Sequence, residues 1–155
     1  MEGESLLLAL AQIGVIVAGF AGVAASLRQQ WAASERVHFQ ILVVASLAIM
    51  FFALLPPILF YITHDAQVSV RLASAGYGLY VVQIMTRRVR AFRRARTPLR
   101  TYLPLVVGPT VVLVLMVLNV ALWGAAGVHA LGLLPGLYVA TLEFRLFVTP
   151  PASGS

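Results

Sequence analysis

The sequence predicts an all-α, polytopic membrane bundle of four or five transmembrane helices with its N-terminus outside, and three observations predict it. Of the 155 residues, 61% are hydrophobic and only 10% charged, whereas about a quarter of a soluble domain's residues are charged. The eleven basic residues are all arginine, and the five acids are Glu2, Glu4, Glu35, Asp65 and Glu143, too few charges to cover a water-facing exterior. Apolar runs of the length that crosses a hydrocarbon core recur along the chain: about 20 residues at 1.5 Å rise span about 30 Å. Lipid forces such runs to be helical, since it offers no partner for backbone N–H and C=O groups.

The first element is expected over residues 6–27. Its leader, Met-Glu-Gly-Glu-Ser, is acidic where a secretory signal is basic, so the run reads as a permanent span. The second covers 37–63 and carries Pro56-Pro57, which should kink it or end its regular hydrogen bonding. The third and fourth cover 68–85 and 103–123. A fifth, 131–148, has Gly132, Pro135 and Gly136 near its start and Glu143 with Arg145 near its end. It is expected to span because residues 124–127 are small enough to turn the chain back. Residues 1–148 thus form a single bundle, and 149–155 read as a disordered tail.

Arginine placement orients the bundle, because arginine-rich short loops stay in the cytoplasm. Arg87, Arg88, Arg90, Arg93, Arg94, Arg96 and Arg100 put the third connection inside. Residues 28–36 and the C-terminus with Arg145 are then also inside, while the acidic N-terminus and the His64-Asp65 turn are outside. Trp31 and Tyr102 fall at the inner boundary, Tyr61 and Trp123 at the outer one, where amphipathic rings lie. An arginine-only basic set suggests a GC-rich bacterial genome, and the expected location is the bacterial inner (plasma) membrane.

Several residues invite function. Gly14, Ala18, Gly22 and Ser26 recur every four positions and make a stripe suited to helix packing or to lining a pore between copies. Gln12, Asn119 and Glu143 are polar within candidate spans and costly there unless partnered. Gln12 and Asn119 read as interhelical hydrogen-bond partners, and Glu143 as one half of an interfacial ion pair with an arginine or, less favoured, as a group that binds a cation or proton. Glu2, Glu4, His64, Asp65 and His129 all fall outside under this topology, as solvated loop groups or as an ion or proton site. The cluster Arg87, Arg88, Arg90, Arg93 and Arg94 reads as a topology determinant that grips anionic lipid headgroups rather than as a voltage sensor or a nucleic-acid site.

No catalytic signature of the elbow, zincin or phosphate-loop kind is present, and no segment carries metal-ligand spacing; zero cysteines remove thiolate chemistry. The expectation is therefore no enzyme, no cofactor and no metal. The segment Ala-Gln-Ile-Gly-Val-Ile-Val-Ala-Gly-Phe-Ala-Gly at 11–22, the arginine loop, and Leu-Glu-Phe-Arg-Leu-Phe at 142–147 resemble a widespread group of small uncharacterised bacterial multi-helix membrane proteins. That resemblance implies the topology and carries no activity. Two functional classes follow: a homo-oligomer forming an ion channel or pore, which the stripe on the first helix favours, and a non-conducting anchor, sensor or partner-binding subunit of a larger complex.

Overall fold

Five helices form an antiparallel bundle in the computed structural model, which describes residues 3–27, 33–94 and 99–148. They are α1 (Glu4–Ser26), α2 (Ala33–Thr63), α3 (Ala66–Arg94), α4 (Leu99–Leu118), continued by a π-helical turn (Asn119–Trp123), and α5 (Ala126–Val148). No strand occurs among the described residues. Three helices are long and apolar enough to cross a membrane: α1, α2 from Arg36, and α5 up to Arg145; Val107–Trp123 of α4 and its π turn is a shorter apolar stretch. Glu2, Trp31, Arg96 and the tail 149–155 lie outside the described residues.

The bundle turns its apolar side chains outward as well as inward. Phe20, Leu27, Tyr61, Ile62, Leu79 and Tyr138 are among the most exposed, an exterior matched to hydrocarbon and not to water. Inside, α2, α3, α4 and α5 pack edge to edge in a ring, with α1 laid across α2 and α5. Leu7, Leu10, Phe52, Val70, Tyr77, Met116 and Leu133 form the larger core; Ala21, Leu42, Ile49 and Ala140 form a second.

Close approach is bought with glycine at two crossings. A Cβ added at Gly14 would stand 2.8 Å from the Ser46 carbonyl oxygen and 3.2 Å from the Met50 nitrogen of α2. Gly132 of α5 lies under Met116 of α4, whose terminal methyl occupies the space a Cβ would need.

The boundaries differ from expectation at α3 and α5. Arg87, Arg88, Arg90, Arg93 and Arg94 are the last turns of α3 and not a loop. Arginine is a good helix former, and a 29-residue helix is about 43 Å long, so these turns extend past a core of about 30 Å. Helix α5 starts at Ala126, not 131, leaving Gly124 and Ala125 as the turn. Pro56 and Pro57 sit inside α2, which runs on to Thr63, and the carbonyl that Pro56 frees is met from α5.

Candidate functional site

The N-termini of α1, α3 and α5 share one end of the bundle. Gly3 approaches Ala126, and the Gln67 amide donates to the Trp123 carbonyl at 3.2 Å. Asp65 caps α3 there, its Oδ1 accepting from the backbone N–H of Gln67 (2.8 Å) and Val68 (3.0 Å), which satisfies helix-terminal donors. His64 is the one non-glycine with positive φ (54°) among the described residues and is exposed.

One turn deeper, a polar network is buried between four helices. An α-helical N–H bonds the carbonyl four residues back, so Pro56 leaves the Phe52 carbonyl without its helical donor. His129 of α5 supplies one: its Nε2 lies 2.9 Å from the Phe52 oxygen. A carbonyl only accepts, so Nε2 carries the proton and Nδ1 is the acceptor of the neutral ring. Ser74 of α3 donates to that Nδ1 at 2.9 Å. Asn119 donates through Nδ2 to Ser74 Oγ at 2.9 Å and to the Ala125 carbonyl at 3.2 Å, while its Oδ1 accepts from the Ala125 N–H at 2.9 Å. Asn119, Ser74 and His129 are each 0% exposed.

The π turn is what aims Asn119. The Gly124 N–H reaches the Asn119 carbonyl at 2.7 Å, five residues back, and the wide turn sets the amide between α3 and the start of α5. Every donor in the chain Asn119, Ser74, His129 ends on an acceptor, the arrangement that makes buried polar groups stabilising. The Ser74–His129 contact has the atoms of a nucleophile and base, yet both residues are sealed from approach and Ser74 Oγ already accepts from Asn119, so this arrangement offers a substrate no access.

Below the network, toward the other end, the ring of α2 to α5 encloses an open cavity of about 580 Å³. Its existence follows from residue size: Ala45 and Ala48 of α2, Gly108-Pro109 of α4 and Pro135-Gly136 of α5 face it, and none projects a side chain long enough to fill it. Tyr77 and Tyr80 of α3 form its aromatic wall, their ring centroids 6.3 Å apart with planes at 23°, backed by Phe52 at 5.0 and 5.5 Å.

The remaining candidates separate. Glu143 of α5 pairs with His38 of α2, Nδ1 to Oε2 at 2.6 Å, so its partner is a histidine and not an arginine. Gln12 lies on the exposed face of α1 and not at a helix interface. His129, expected in an external loop, is interior. The α1 stripe divides: Gly14 is buried against α2, Ala18 is half-buried, and Gly22 and Ser26 are exposed, with nothing within 4 Å of a Cβ built on Gly22. Glu4 lies in the first turn of α1. Arg87 and Arg90 are exposed on the last turns of α3; the side chains of Arg88, Arg93 and Arg94 lie outside the described residues. No group of three or more metal-ligating side chains occurs among the described residues.

Sequence reasoning passed over Ser74, His38 and the link from Pro56 to His129. A proline pair inside a span, with a histidine in another span, was the available signal, since the freed carbonyl requires a donor in lipid. No protein-family model, curated protein or solved structure matches the chain, so the resemblance noted for residues 11–22 and 142–147 stands on those motifs alone.

Proposed function

We propose that the protein is a five-span protein of the bacterial inner membrane, N-terminus outside, serving as a non-conducting module: a sensor or partner-binding subunit of a membrane complex. The observation that carries this reading is that no polar path runs through the described residues of the chain. The run of buried polar atoms Asn119 to Ser74 to His129 to Phe52 is closed by its own hydrogen bonds, and the cavity on the far side of it is lined mainly by apolar side chains, which offers an ion no coordinating path. Gly14, half of the argument for a seam between copies, is spent on packing α1 against α2 within the chain.

The topology is supported by charge. Arg87 and Arg90 extend at the end of α3, remote from the end that holds Glu4 and Asp65, and this agrees with arginine inside and acid outside. Those last turns of α3 are the face for anionic headgroups or an acidic partner. A homo-oligomeric channel is the second reading, favoured by the exposed Gly22 and Ser26 of α1, which permit a second copy to approach closely.

Mass measurement in native lipid particles, followed by ion flux in liposomes, separates the two. A monomer or dimer with flux no higher than empty liposomes is expected. A closed assembly of three or more copies that conducts would replace the module by the channel, and a reporter at Ser155 found outside would overturn the topology.

A further inference from the structure

We propose that the cavity ringed by α2, α3, α4 and α5 is a binding site for a lipid-soluble molecule with a flat, unsaturated ring bearing a carbonyl oxygen, a ligand of quinone type, held by the Tyr77 hydroxyl. The site stands independently of whether the chain conducts.

Four observations lead there. The volume of about 580 Å³ lies within the range of about 300–1,000 Å³ typical of small-molecule pockets. Its walls are mainly apolar, with Gln40 at one end, and it is open rather than enclosed, so it favours an apolar occupant over water. Tyr77 and Tyr80 line it with their rings stacked on each other, and the half-buried Tyr80 is the one that extends this stack to another flat ring in the offset manner aromatic groups prefer.

The fourth observation selects the carbonyl. Tyr77 is 5% exposed, and its ring contacts Phe52, Tyr80 and His129, yet its hydroxyl makes no hydrogen bond among the described residues. Every donor of the neighbouring network has an acceptor; this one, on the cavity wall beside Gly136, does not. Unlike Ser46 Oγ and Arg71 Nε, which are fully enclosed without a partner, this hydroxyl keeps open space at the cavity wall, where a tyrosine O–H ordinarily finds an acceptor. A ligand that brings an acceptor oxygen and no charge satisfies it. A plain acyl chain would fill the volume and leave the hydroxyl unmet.

The test uses the full chain in lipid nanodiscs with 2-methyl-1,4-naphthoquinone as probe and empty nanodiscs as the partition control. Saturable binding of one probe per chain is expected, with the carbonyl stretch of the bound probe shifted to lower frequency. Tyr77→Phe keeps the ring and deletes only the donor; it should abolish the carbonyl shift and weaken binding about three- to tenfold, the worth of one neutral hydrogen bond. Ala48→Phe, which fills the cavity from α2, should abolish saturable binding. Uptake no greater than in empty nanodiscs would overturn the site. Binding unaffected by Tyr77→Phe and displaced equally by n-decane would overturn the carbonyl assignment.

Discussion

Replacing His129 by leucine removes two hydrogen bonds at little change in volume, and the structure specifies which groups are left behind. The Phe52 carbonyl loses the donor that replaces the N–H missing from Pro56, and the Ser74 hydroxyl loses its acceptor. Hydrogen bonds between helices in a membrane are worth about 0.6 kcal/mol on average and about 1.7 at most, so His129→Leu should destabilise the bundle by about 1–3 kcal/mol. Pro56→Ala restores an N–H one helical turn from the Phe52 carbonyl. In that background His129→Leu strands only Ser74, and its cost should fall by about 0.5–1.5 kcal/mol. The double-mutant cycle is read by reversible unfolding in mixed micelles with increasing dodecyl sulfate, followed in a Trp31→Phe background by the fluorescence of Trp123, which ends the π turn that bears Asn119. Additivity within about 0.5 kcal/mol, the behaviour of independent sites, would refute the assignment of His129 as the replacement donor.

Three further outcomes follow from the packing and from the cap of α3. Gly14→Ala should cost about 1–3 kcal/mol in the same unfolding assay, because its methyl meets the α2 backbone at 2.8 Å, while Gly22→Ala should leave stability within about 0.5 kcal/mol because nothing lies within 4 Å of its Cβ. Asp65→Ala should cost about 0.5–2 kcal/mol by freeing the N–H groups of Gln67 and Val68, and hydrogen exchange should quicken in the first turn of α3 before it quickens elsewhere.

Much of the helical architecture was legible because hydrocarbon imposes a length and an apolar composition on each span, and both are local properties of the chain. Residues 6–27 and 37–63 were read to within a few positions on that basis. The end of α3 was misread because the same criterion stops at the first arginines, whereas the backbone has no reason to leave the helix there and continues to Arg94. The fifth helix was started late for a related reason. Its first turn, with Gly127 and His129, looks polar and flexible until Ser74 and the Phe52 carbonyl are seen to receive the imidazole.

The candidate site was legible only in its parts. Asn119 stood out as a polar residue within an apolar run, and Glu143 as an acid near a helix end, since desolvation makes each anomalous by itself. Their partners did not stand out. Ser74 and Asn119 are 45 positions apart, and His38 and Glu143 are 105 apart, so each pair depends on the axial register of two helices and the rotation of each about its axis. Gly14 and Gly22 carry the same local signal; one meets α2 and the other meets nothing, a difference set by the crossing of α1 over α2.

The sequence by itself determined that the chain is helical, that its exterior is apolar, and where its arginines and acids fall along it, because burial in lipid and charge placement act on each segment separately. The tertiary structure alone decided that Pro56 is answered by His129, that Gly14 is internal, and that small residues on three helices leave a cavity beside Tyr77, because each of these needs two or more helices held at one depth and one rotation.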